Sequence, residues 1–138
     1  MPDEITRVDY YMGVVPNKAG EGAKVLCALQ EAGISLAGFL GYRKSARTAE
    51  VVLILAEKTP SPAKAVKKAG LALGKKFKAF LITGEDRIGA LLEGAEKLAA
   101  AGINVVSTHA VVAGAGRYGA LVAVDPKDLR KTAKALGI

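Results

Sequence analysis

The sequence nearly repeats itself at half its length. Sliding the 138-residue chain by 69 positions places Gly20, Leu29, Ala32, Gly33 and Ile34 on Gly89, Leu98, Ala101, Gly102 and Ile103, five identities within positions 17–35. Asn17 falls on Asp86, Lys18 on Arg87 and Ser35 on Asn104. The apolar run Val51–Leu55 falls on Ala120–Val124 without a gap. Two copies of one unit is the simplest account, so the unit is what has to be read first.

The unit begins with a β-prone stretch, Val8–Val15, that runs up to a Pro-Asn turn. A helix over Glu21–Ala32 follows, with Gly22, Val25, Leu26 and Leu29 on one face and Gly33 as its stop. Ile34–Tyr42 reads as a second strand and Val51–Leu55 as a third, joined by a polar turn. Pro60-Ser61-Pro62 breaks the chain, with Ser61 as N-cap and Pro62 opening a short helix to Ala69. The second copy reads as strand Phe77–Thr83, helix Gly89–Ala101, strands Asn104–Val112 and Gly119–Val124, and helix Pro126–Ala135. Strand, helix, strand, strand, helix is the split βαβ order. The expected fold class is therefore α+β, with ferredoxin-like βαββαβ units in tandem and helices on one face of an antiparallel sheet.

Residues 1–74 form the first expected domain and 75–138 the second. A fourth strand is hard to place. Leu71-Ala72-Leu73 reads equally as a short strand or as the end of a helix, and in the second copy that strand is short or missing. A missing edge strand leaves backbone groups unpaired, so a homodimer or larger homo-oligomer is expected.

Each copy follows its first strand with a matching turn, Asn17-Lys18-Ala19-Gly20 and Asp86-Arg87-Ile88-Gly89. Each then runs through a helix to Gly33-Ile34-Ser35 or Gly102-Ile103-Asn104. This resembles the ACT domain family, with its Asp or Asn, basic residue, Pro and Gly before a helix and Gly-(Ile/Val)-Asn-Ile after it. The family Pro is Ala19 in one copy and Ile88 in the other, and the family Asn is Ser35 in the first. The resemblance implies a regulatory module that binds amino acids or similar small molecules, with Asn17, Gly20, Ser35, Asp86, Arg87, Gly89 and Asn104 as ligand-binding positions. Independently, free N–H groups at a helix start suit a carboxylate, and an Asp86 carboxylate suits an ammonium. The same residues also serve as ordinary caps and turn formers.

Other signals lead elsewhere. Gly114-Ala115-Gly116-Arg117-Tyr118-Gly119 matches G-x-G-x-x-G, but a strand follows it where a dinucleotide site needs a helix, so it reads as a turn between strands. His109, the one histidine, has no companion in a metal-ligand pattern. Cys27 has no activating base near it in sequence, so no catalytic residue and no cofactor is expected. The net charge of +7 gathers on the second helices, at Lys64, Lys67 and Lys68 and at Lys127, Arg130, Lys131 and Lys134. That is a solvated face or, on a rival reading, a nucleic-acid surface, although the third strands lack the aromatics on which RNA-recognition domains stack bases. Ahead of that rival, the runner-up to a sensor is a protein-interaction subunit that has kept the fold and lost its ligand.

Composition sets the remaining limits. Apolar residues are 51% of the chain but aromatics only 5%, so the core must be built from Ala, Val, Leu and Ile. One cysteine allows no internal disulfide, and no apolar stretch reaches the roughly 18–20 residues of a spanning helix. A cytoplasmic protein is expected.

Overall fold

A computed structural model of the chain describes residues 3–138. Seven strands and four helices follow one another as β1 (Glu4–Pro16), α1 (Glu21–Glu31), β2 (Gly38–Arg43), β3 (Thr48–Ala56), α2 (Ala63–Lys67), β4 (Ala72–Leu73), β5 (Phe77–Glu85), α3 (Leu92–Ala100), β6 (Val105–Gly114), β7 (Arg117–Val124) and α4 (Leu129–Leu136), with a 3₁₀ turn at Pro126–Asp128. The architecture is the α+β one expected. Two compact units result. The first is Asp9–Phe77, and the second is Lys78–Ile138 together with Asp3–Val8.

In the first unit the strand order is β2-β3-β1-β4, the ferredoxin-like order. Leu71-Ala72-Leu73 resolves as a strand: Ala72 and Leu73 pair with Val14 and Gly13 of β1. α1 ends as the glycine signal predicts. Gly33 has φ 69°, its N–H donates to Gln30 O at 3.0 Å, and the Ile34 N–H reaches back to Leu29 O at 3.0 Å. Val25 and Leu29 of α1 and Val66 of α2 pack on Tyr11, Val15, Val51, Leu53 and Leu55. Val52 and Ile54 are buried on the opposite face of β3, which explains the unbroken apolar run there.

The second unit has the order β1-β5-β7-β6, the start of β1 standing where a fourth strand is due. This answers the question of the missing strand. Residues 4–8 of β1 occupy the place. The sequence boundary at 74/75 therefore differs from the compact units, because residues before Asp9 go with the later half.

The 69-residue offset survives in the hydrogen-bond ladders. Phe39 pairs with Leu53 and Thr108 with Val122; Gly41 pairs with Val51 and Ala110 with Ala120. The turn bonds match too: the Asn17 N–H donates to Arg47 O at 2.8 Å, and the Asp86 N–H donates to Gly116 O at 2.8 Å. Elements differ from the sequence reading mainly at their ends. α3 starts at Leu92 rather than Gly89, because Gly89–Leu91 form a turn. β2 starts at Gly38 rather than Ile34. Ser61 accepts the Ala63 N–H at 3.3 Å, while the residue at the cap position is Pro62.

Candidate functional site

The two β-to-helix turns share a backbone and differ in what stands on it. Gly20 and Gly89 both have positive φ, 90° and 78°, a conformation that L side chains rarely adopt. Behind Gly20 stands Glu21, buried at the start of α1 and bonded to Lys24 Nζ at 3.3 Å. The first turn thus carries its own carboxylate where the helix dipole favours an anion. Asn17 is spent locally as well, its Nδ2 donating to Ala46 O at 3.2 Å. Behind Gly89 stands Ala90, and the acid of the α3 first turn is the exposed Glu93, three residues further on.

Arg87 and Gly89 stand at the second turn with Asp86, beside a shallow cleft that Leu91, Val111 and Tyr118 also line. Arg87 also borders a deeper cavity of about 450 Å³ within the second unit. Its walls are Ile5 of β1, Ile82 of β5, Ala90, Gly94 and Leu98 around α3, Val105 of β6, Ala120 and Val122 of β7, and Leu136 of α4. A sealed void of this size would cost on the order of 10 kcal/mol, as much as the net stability of a whole domain. The cavity is instead rimmed by exposed charged residues, Glu93 and Lys97, with Arg87.

At the rim three side chains meet. Tyr118 Oη donates to Asp3 Oδ2 at 2.7 Å, and Arg87 Nη1 lies 3.7 Å from Asp3 Oδ1. Arg87 Nη1 also donates to Glu85 O at 3.1 Å, and Nη2 lies 3.6 Å from Glu93 Oε2. The separation of 3.7 Å is too long for a hydrogen bond. Asp3 Oδ1 is accordingly a buried acceptor with no hydrogen bond. Gly84 makes this approach possible: a Cβ there would overlap Asp3 Oδ1 and lie 2.8 Å from the Tyr118 ring. Burial, then the hydrogen bond to Asp3 and its charge, push the Tyr118 phenol up to about 12, so it is a neutral donor at any physiological pH.

The structure separates the remaining candidates from these. Asn104 precedes β6 and Asp86 adjoins the β6–β7 hairpin at the far end of that strand. Ten residues of strand put them about 30 Å apart. Ser35 and Asn17 are divided in the same way by β2 in the first unit. In a βαβ crossover the helix returns the chain to the opposite end of the strands, so residues flanking the helix on either side cannot meet inside one unit. Conversely, Asp3 and Tyr118 belong to the cluster and carried no sequence signal: 115 residues separate them.

Gly114-Ala115-Gly116 forms the β6–β7 hairpin turn, with φ of 106°, 56° and 67°, and a strand follows as the sequence indicates. His109 is exposed on β6 with Nε2 3.0 Å from Ser107 Oγ, and no group of metal-ligating side chains occurs among the described residues. The Cys27 thiol is exposed, and its hydrogen bond to Glu31 and that residue's charge push its pKa up, away from the nucleophilic thiolate. The lysines and arginine of α2 and of the final helical segment are exposed. No described helix is long and apolar enough to cross a membrane.

No family model matches the sequence, and no curated protein is significantly similar to it. Solved structures are. The chain superposes on the protein BT0572 from Bacteroides thetaiotaomicron with TM-score 0.76 at 18% identity, covering 96% of this chain and 88% of that one. It matches the regulatory subunit of aspartate kinase from Thermus thermophilus in its ligand-free form with TM-score 0.67 at 13% identity, covering 97% and 93%. A putative C-terminal regulatory domain of aspartate kinase from Porphyromonas gingivalis w83 gives TM-score 0.61 at 15% identity, covering 98% and 93%. The chain therefore has the fold of these regulatory proteins, the ACT-type ferredoxin-like arrangement.

Proposed function

We propose that this chain is a non-catalytic regulatory module that binds a small molecule, an amino acid, at the β5–α3 turn of its second unit. The observation that carries this reading is the pairing of Asp3 and Arg87 at the mouth of an apolar cavity. A carboxylate with a free acceptor beside a guanidinium suits a ligand that bears both an ammonium and a carboxylate. An apolar pocket with a few convergent polar groups is the usual form of a small-molecule site. The shared fold with regulatory subunits of aspartate kinase supports a sensing role, and Asp86 and Gly89 complete the turn. Ser35 and Asn104, which face away from these turns within their own units, join a site only if a second copy presents them.

Isothermal calorimetry and thermal shift against the twenty amino acids test the reading. At least one is expected to release heat and raise the melting temperature; silence from all twenty overturns it.

A second reading is favoured by the surface. Ile88, Leu91 and Leu92 beside Val111 and Val112 expose apolar side chains next to β6, the outermost strand of its unit. Such an edge pairs readily with another strand. We infer a homodimer through it, or a partner enzyme in its place. Sedimentation distinguishes them: a dimer that Val111→Lys converts to a monomer supports the first. The exposed thiol of Cys27 suits a reducing compartment, and we place the protein in the cytoplasm.

A further inference from the structure

We propose that the cavity under α3 makes this site selective for α-amino acids with a large apolar side chain, the side chain entering the cavity while Asp3 Oδ1 accepts the ammonium and Arg87 holds the carboxylate. This rests on the reading of the chain as an amino-acid sensor and deepens it, by naming the ligand class and the residue that selects it.

Three observations carry the inference. The first is the origin of the space. At the 69-residue offset the cavity walls Gly94, Val105, Thr108, Ala120 and Val122 correspond to Val25, Leu36, Phe39, Val51 and Leu53. Each is smaller than its counterpart, and Val25, Val51 and Leu53 are buried in the core of the first unit. Ile82, Leu91 and Tyr118 are larger than their partners Gly13, Gly22 and Ala49, so the space lies between the shortened face of α3 and the shortened residues of β6 and β7. The second observation is the chemistry of the wall. Beyond the rim it presents Ile5, Ile82, Leu98 and Leu136 and no charged group, so a charged side chain would enter without a partner. The third is Asp3 Oδ1, a buried acceptor with no hydrogen bond at the mouth of that space. An incoming N–H would satisfy it. The volume of about 450 Å³ lies within the range of small-molecule sites, roughly 300–1,000 Å³, and is larger than an alanine or serine side chain can use.

The test is calorimetry on the full chain with the series alanine, 2-aminobutyrate, norvaline and norleucine, then phenylalanine, lysine and aspartate. Affinity is expected to rise about fourfold with each added methylene. Lysine, which is norleucine ending in a charge, is expected to bind at least a hundredfold more weakly than norleucine. Hexanoate and pentylamine, each lacking one charged group, are expected to fall at least tenfold below norleucine. Asp3→Asn is expected to lose at least tenfold for norleucine, with Asp3→Glu recovering part of it. Ala120→Leu, which fills the cavity without touching the charged rim, abolishes the methylene trend. A flat series, or lysine or aspartate binding more tightly than norleucine, overturns the inference and leaves the sensor reading standing. An unchanged norleucine affinity in folded Ala120→Leu overturns it too. No binding by any amino acid overturns both.

Discussion

At residue 25 the first unit sets a valine against its sheet, wholly buried; at the equivalent residue 94 the second sets a glycine. The same trade recurs along the third strands, Val51 against Ala120 and Leu53 against Val122. In the other direction Ala49 gives way to Tyr118, while Val15 again gives way to a glycine, Gly84, the residue over which Asp3 and Tyr118 meet. The first unit also buries Leu71 fully after α2. The backbone is held by turns, caps and ladders common to both halves, so the interior is free to diverge. One unit uses that freedom to pack tightly, and the other to leave room beneath a helix.

Four substitutions break or sharpen this contrast. The largest effect is expected from Val51→Ala, which opens a hole in a filled core and should cost about 2–3 kcal/mol, whereas Val122→Ala on the cavity wall should cost under about 1 kcal/mol. Urea unfolding of both variants checks the difference; equal losses would mean that the two interiors are packed alike. Gly84→Val copies the residue of the first unit into the second. It should cost about 1–3 kcal/mol by overpacking, through collision with Asp3 and the Tyr118 ring, and the same unfolding measurement reads it. Gly94→Ala should stabilise by up to about 1 kcal/mol, since a Cβ there meets only Ile82 Cδ1 at 3.9 Å and alanine suits a helix better. A thermal melt that falls instead would show that α3 already touches the sheet.

The smallest effect at neutral pH concerns Tyr118. Its folded value of about 12 lies above the ordinary value of 10, so the folded state holds this proton more tightly. The stabilisation is fully present below pH 10 and is lost as pH rises from 10 to 12. Tyr118→Phe should therefore lose a phenolate absorbance step near pH 12 and show a shallower alkaline decline in stability than the parent chain.

Much of the fold was legible because the offset-related glycines act locally. Gly33 and Gly102 end helices whichever residues surround them, and the apolar runs on β3 and β7 need only neighbours in sequence. Arg87 and Gly89 were legible for the same reason, as members of one turn. Asp3 was not: its role depends on Gly84 leaving space and on Tyr118 presenting a hydroxyl, and neither condition is written near residue 3. The hollow was half legible, since Gly94 and Ala120 can be compared with Val25 and Val51 by eye. That comparison becomes a volume only when the ladders show both to face the same helix. Ser35 and Asn104 show the opposite failure. Motif order along the chain says nothing about which end of a strand a residue occupies.

β1 contributes its start to one unit and its remainder to the other, so the second unit is discontinuous in sequence. During synthesis, residues 9–77 leave the ribosome as a complete set and can close early. The other unit must hold residues 4–8 in reserve until α4 has emerged, and its Asp3–Tyr118 bond joins residues 115 apart. Such a long-range closure is slow. The half proposed to bind the ligand would thus mature after the other.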